Sequence, residues 1–367
     1  MNSLYNIIVL VFISTLALER LGYDLLGLNV NITNFTLVLL LTLFIISKCY
    51  TQKIKIPRNI VYINYLALVF IVTMFLSYLA TSDLERFITF FSAMLIFLLV
   101  GNYLHLVKRQ WLEVAAYLTT MIAIAFAIGH YLDYIPVFEF EKTAYRENFE
   151  IIKMGYTGLI PSRGSYGILL LTGLVISHFW FKKKRLRELS LISIIIICFA
   201  AFITLSRSTW LAFLIFYISL IVIFYFLYAR YIRPRSVYYF IGIVICIIIS
   251  ISIFQSVIDF YGYIKDIQET SVQHRIYQYN YALEQAKHYP VFGTGYLVTK
   301  TGEIHNSFLA ILMERGWLNF VLFSFIIGIL IVNLIISIKK SNTRQDTYRF
   351  TVLLSGLIAV LVEANLY

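Results

Sequence analysis

Charge is scarce in this sequence. Asp, Glu, Lys and Arg make up only 13% of the 367 residues, roughly half the usual share in a globular protein. Sixty per cent of the residues are apolar. A soluble fold of this length has no interior large enough for that much apolar side chain, so a soluble protein is excluded. Period-two alternation is missing as well: the apolar residues come in unbroken runs, which excludes a transmembrane β-barrel. Cysteine is nearly absent. Cys49, Cys198 and Cys246 lie inside or at the ends of apolar runs, so neither a disulfide framework nor a thiolate metal site is implied. The chain has no P-loop, dinucleotide fingerprint, HExxH or GxSxG motif, no repeat of 20–50 residues, and no Asp-x-Asp pair to hold a sugar nucleotide through a divalent cation. No cofactor and no metal is expected. The first apolar run lacks a basic leader and a small-residue cleavage site, so it reads as a signal anchor.

What is present is membrane-spanning sequence. A helical span uses about 20 apolar residues, so the apolar content corresponds to roughly eleven spans. They are read near 3–18, 30–47, 60–81, 87–106, 112–132, 164–181, 189–206, 209–229, 237–257, 317–338 and 350–366. The expected fold is all-α: a polytopic transmembrane bundle of about 11–12 spans, forming one integral membrane domain over 1–367. Trp and Tyr at the span edges, Trp111, Trp180 and Tyr238 among them, form an interfacial belt. The net charge of +11 is a matter of placement. Eighteen of the thirty basic residues, including Lys182–Arg187 and Lys339, Lys340, Arg344 and Arg349, fall in even-numbered connectors. The positive-inside rule then puts those connectors and the amino terminus in the cytoplasm. Nucleic acid is not an expected partner; membrane lipid is.

The odd connectors face outward, and 133–163 and 258–316 are long enough to be functional. Arg207 lies in Thr204-Leu205-Ser206-Arg207-Ser208-Thr209 between two apolar runs. It is either a snorkelling arginine at a tight turn or an anion clamp, since a guanidinium offers phosphate two parallel donors. Residues 271–289 read as an amphipathic helix ending at Pro290, with Ile276, Tyr279, Leu283 and Ala286 on its apolar face. Arg275, one turn before Tyr279, is either solvated or a second clamp. Gly293, Gly295 and Tyr296 form a turn whose backbone amides approach an anion. His305 precedes Asn306 and an apolar stretch, 307–313, too short to span. It reads either as a helix cap, a job Asn306 or Ser307 shares, or as a general base near neutral pH.

Leu205-Ser206-Arg207-Ser208-Thr209-Trp210-Leu211 resembles the Arg-x-x-x-Leu signature of bacterial O-antigen ligases and the related O-antigen polymerases. His305-Asn306, nine residues and Gly316 resemble the His-Asn-x9-Gly signature of that superfamily, and Arg275 with Gly293-x-Gly295-Tyr296 resembles its loop arginine and glycine turn. The resemblance implies about twelve spans and a large periplasmic loop with amphipathic helices, in the bacterial inner membrane. It implies metal-independent glycosyl transfer from an undecaprenyl-diphosphate-linked donor at the periplasmic face. Arg207 and Arg275 would then hold the diphosphate and His305 activate the acceptor, supported by Tyr279, Gly293, Gly295, Tyr296, Asn306 and Gly316. The acceptor is lipid A–core for a ligase and a second lipid-linked glycan for a polymerase. Asn319, where the signature has Gly, Thr or Tyr, departs toward polymerase. A flippase of lipid-linked glycan would carry cations deep within several spans, whereas these spans are nearly charge-free. Eleven spans leave the end at Tyr367 outside; either 307–313 replaces a span or a final helix is missing from this chain.

Overall fold

The computed structural model describes residues 22–25, 28–31, 65, 68–69, 72–73, 75, 109–131, 163–204, 206–228, 263–294, 306–341 and 343–366. The architecture is helical, as the composition requires. Among the described residues seven α-helices run in chain order: α1 Arg109–Tyr131, α2 Arg163–Phe181, α3 Arg187–Ile203, α4 Arg207–Tyr228, α5 Tyr263–His288, α6 Ser307–Lys340 and α7 Arg344–Leu366. A short antiparallel hairpin, β1 Gly22–Leu25 and β2 Leu28–Asn31, pairs Gly22 with Asn31. The sequence reading had no strand here. Leu28-Asn29-Val30-Asn31 alternates with period two, the signal of a half-buried strand.

Among the described residues four helices are long and apolar enough to cross a membrane: Arg109–Gly129, Gly164–Phe181, Ser307–Lys340 and Arg344–Asn365; Ser208–Phe224 is a shorter apolar helix. These match five expected spans, and α3 covers most of a sixth, 189–206. The expected spans 3–18, 87–106 and 237–257, and most of 60–81, lie outside the described residues, as does nearly all of the 133–163 loop; of the expected span 30–47 only Val30 and Asn31 are described, and they belong to β2 rather than to a helix.

The chain divides into two compact units, with the division running through α4 after Trp210. In the first unit α1, α2 and α3 pack on one another through small and hydroxyl side chains. Gly173 of α2 lies so close to α1 that a Cβ would collide with the Thr120 side chain, the close approach that small residues permit between membrane helices. At one end of this bundle the buried Glu113 carboxylate accepts hydrogen bonds from Arg109 Nε (3.0 Å), Trp180 Nε1 (3.0 Å) and Lys183 Nζ (3.1 Å). Three donors from two segments offset the cost of taking a carboxylate out of water. Tyr117 reaches α3 through its hydroxyl, 2.7 Å from Ser193 Oγ. A 3-10 turn, Lys184–Leu186, links α2 to α3.

In the second unit α6 packs on both α5 and α7. α6 is broken at Gly316, whose φ of 74° and ψ of 177° are not helical. A short piece of nine residues, 307–315, therefore precedes the long apolar piece. The sequence reading of 307–313 as too short to span is met: it is a separate helical segment joined to a span. Thr343 caps α7, accepting from Asp346 N at 3.0 Å and donating to the Asp346 carboxylate at 2.6 Å, which closes the connector from Lys340 tightly.

Candidate functional site

Arg207 is the first residue of α4. The turn ahead of it is built from hydroxyls. Thr204 Oγ1 donates to the Ala201 carbonyl (2.7 Å) and accepts from Ser206 N (3.1 Å), while Ser206 Oγ accepts from Thr209 N (3.4 Å) and lies 2.9 Å from Ser208 Oγ. Ser206 thus acts as N-cap, which starts α4 immediately after α3 and fixes where Arg207 leaves the backbone. Trp210 Nε1 donates to the Ala201 carbonyl (2.9 Å) and its ring stacks on Phe202, closing the turn from the other side. Thr204, Ser206, Ser208 and Thr209 are all buried. The Arg207 side chain lies outside the described residues.

Arg275 lies on α5, which begins eight residues before the expected helix and ends two residues before Pro290. The buried stripe of this helix differs from the expected apolar one. Gln278, Ala282 and Ala286, spaced by four, are buried, with Arg275 and Tyr279 half-buried beside them. Ile276 and Leu283 point the other way and are 53% and 44% exposed. The reason is steric: α5 approaches α6 closely, and alanine permits that approach where leucine and isoleucine do not. Arg275 is therefore on the packed side of its helix, not on a solvated face.

The turn after α5 is locked to the break in α6. Thr294 N donates to the Met313 carbonyl (2.9 Å) and Trp317 N to the Pro290 carbonyl (2.7 Å); Gly293 N donates back to Tyr289 O (3.1 Å). Gly293 and Gly316 both have φ near +73°, a region L side chains rarely adopt. A Cβ on Gly293 would strike the Glu314–Arg315 backbone, and one on Gly316 would strike Val291 and Gly293. The structure thus brings the two glycines together, but in a different role from the anion-binding turn the sequence suggested. The amides of Gly293 and Thr294 are already spent on carbonyls. Gly295 and Tyr296 lie outside the described residues.

Asn306 resolves the capping question raised at His305. Its Oδ1 accepts from Leu309 N (3.0 Å), the N-cap bond of α6, and its Nδ2 donates to the Asn365 carbonyl in α7 (3.2 Å). The cap is Asn306, so that duty does not fall to His305. His305 itself lies outside the described residues. Asn319, the departure from the signature, is fully buried. It accepts from Thr73 Oγ1 (2.6 Å) and donates to the Arg315 carbonyl (2.8 Å), a packing role next to the break. Arg315, 5% exposed, is a buried cation that the sequence reading did not single out. Its neighbour Gly316 was the available signal, because a break there turns residue 315 inward.

The family model described as O-Antigen ligase matches residues 191–324. That stretch holds Arg207, Arg275, the Gly293–Gly316 lock and the His305-Asn306 pair, and the match supports a function of the ligase or polymerase type. No curated protein matches the chain.

Proposed function

We propose, from the match of residues 191–324 to the O-antigen ligase family, that this membrane protein transfers glycan from an undecaprenyl-diphosphate-linked donor to lipid A–core. The observation that carries the reading is the lock between Pro290–Thr294 and Met313–Trp317. It joins the end of α5, which bears Arg275, to the short segment that starts just after His305. Residues from both signatures of the loop therefore belong to one packed body.

The chemistry follows from those residue types. The acceptor hydroxyl attacks the anomeric carbon as the bond from that carbon to the diphosphate oxygen breaks, and the diphosphate departs with the electron pair. The guanidinium groups of Arg207 and Arg275 match the charge that develops on the leaving group. His305 takes the acceptor's proton, with Asn306 fixing the backbone beside it. Tyr279, one turn from Arg275 on the packed side of α5, supports the clamp, and Gly293, Gly295, Tyr296 and Gly316 shape the loop. The energy is stored in the donor, so no nucleotide is needed at the outer face.

Polymerisation of lipid-linked repeat units is the second reading, favoured by Asn319 in the place of Gly, Thr or Tyr. Purified protein with lipid-linked donor tests the clamp. Arg207→Lys keeps charge but loses the fork, and is expected to lose most transfer while remaining folded. Arg275→Ala is expected to raise donor KM and reduce turnover. Wild-type kinetics in both variants would overturn the assignment. A deletion strain separates the two readings: long chains left on the carrier lipid mark a ligase, and single repeat units on core mark a polymerase.

A further inference from the structure

Large exposed side chains gather where α5 ends. Tyr289 and Val291 are each more than half exposed, and Phe292 is exposed beside them. The turn that carries them is bonded to the start of the long apolar piece of α6, where Trp317 N donates to the Pro290 carbonyl at 2.7 Å. Trp317 is itself half exposed, and Val321 and Phe325, one and two turns further along α6, are exposed on the same side. The apolar surface of the turn therefore continues into the surface that α6 offers to lipid.

Depth follows from the length of α6. From Trp317 to Ile338 the helix rises about 33 Å, slightly more than the roughly 30 Å of the hydrocarbon core. Lys339 and Lys340 follow directly and mark one headgroup layer. Trp317 then lies at the opposite boundary, where tryptophan is enriched, and so does the turn bonded to it.

Along α5 an apolar line leads to that turn. Ile276 and Leu283, two turns apart on the face away from α6, are both exposed. A helix standing up from the bilayer would leave them in water; one lying along it buries them together with the turn. Glu284 and Lys287 are exposed on the same helix and opposite in charge, so apolar burial sets the seat rather than attraction to anionic headgroups.

We infer that α5 lies along the leaflet farther from Lys339 and Lys340, with Ile276, Leu283 and the Tyr289–Phe292 turn seated among phospholipid acyl chains at the headgroup boundary. The occupant of this surface is the bilayer, and no step of the proposed transfer is needed for it. One consequence does rest on the transfer reading: the seat keeps the helix of Arg275 at the depth where a lipid-linked diphosphate lies.

Spin-label depth measurement tests the seat, on the full-length protein in phosphatidylcholine vesicles with Cys49, Cys198 and Cys246 replaced. Ile276→Cys, Leu283→Cys and Val291→Cys, each carrying a nitroxide, are expected about 5–10 Å into the boundary, open to oxygen and closed to a water-soluble nickel complex. Glu284→Cys, one residue and about 100° of helix turn from Leu283, is expected to be open to nickel. Val321→Cys, the reference within the span, is expected to be open to oxygen alone. Nickel access at Ile276, Leu283 and Val291 equal to that at Glu284 overturns the inference. So does exclusion of both reagents there, the mark of a protein cover. Lipid depth at Val291 with nickel access at Ile276 and Leu283 describes a helix standing off the leaflet and overturns it too. Should Val291→Cys fail to assemble, Tyr289→Cys probes the same turn. No donor is added, so the outcome is independent of the transfer assignment.

Discussion

A Cβ at Gly293 would run into the backbone of Glu314 and Arg315, and one at Gly316 into Val291 and Gly293. With both glycines also at positive φ, alanine at either position meets strain and collision together. The strain alone is on the order of 1–3 kcal/mol. Gly293→Ala and Gly316→Ala are each expected to lower the melting temperature in detergent and to reduce transfer. Gly328, where a Cβ would have no atom within 4 Å, supplies the control: Gly328→Ala is expected to leave both unchanged. Equal melting temperatures for Gly316→Ala and Gly328→Ala would show that the lock carries no stability. At this scale the sequence singled out Gly293 and Gly316 but not the contact between them. Two glycines in Gly-Thr-Gly read as a flexible anion turn because nothing local reveals that the partner of Gly293 is Gly316, more than twenty residues away.

The first turn of α6 is held by the two ends of one amide. Asn306 Oδ1 caps the helix through Leu309 N, and Nδ2 ties it to the Asn365 carbonyl. Two substitutions separate these functions. Asn306→Asp keeps an acceptor for the cap, favoured by the helix dipole, but has no donor for Asn365. Asn306→Ala loses both, and the cap alone is worth about 1 kcal/mol. Hydrogen exchange is expected to quicken at the end of α7 in both variants, and in the first turn of α6 only in Asn306→Ala. An identical exchange pattern in the two variants would show that Asn306 does not hold the cap and the tie separately. Helices as elements were legible from their apolar runs, since a span announces itself by length. The facing side of α5 was not. Its buried stripe is Gln278, Ala282 and Ala286; the search for apolar spacing found Ala286 but took Ile276 and Leu283 where the packed positions are Gln278 and Ala282.

At the scale of the whole molecule, each of the two units gathers basic residues at one end of a helical hairpin. α2 and α3 pack together around a connector in which Lys182, Arg185 and Arg187 are exposed. α6 and α7 pack together around a connector in which Lys339, Lys340 and Arg344 are exposed. In each hairpin the cationic end is the short turn, which is where the positive-inside rule puts the cytoplasm. The opposite end of the α6–α7 hairpin carries Asn306 against Asn365, and the same rule predicts that end on the outer side. The rule acts on charge near span ends, and charge is the one feature of a membrane protein that sequence displays without a fold. Orientation is therefore an expectation that sequence alone supplies, whereas the packing of α5 needs the fold. Cysteine labelling in intact cells tests it, in a background where Cys49, Cys198 and Cys246 have been replaced. A cysteine placed at Asn148 or at Thr301 is expected to react with a membrane-impermeant maleimide, and one placed at Ser341, in the α6–α7 connector, to react only after the inner membrane is permeabilised. The reverse pattern would put His305 and Asn306 on the cytoplasmic side, where the transfer chemistry proposed for them has no acceptor.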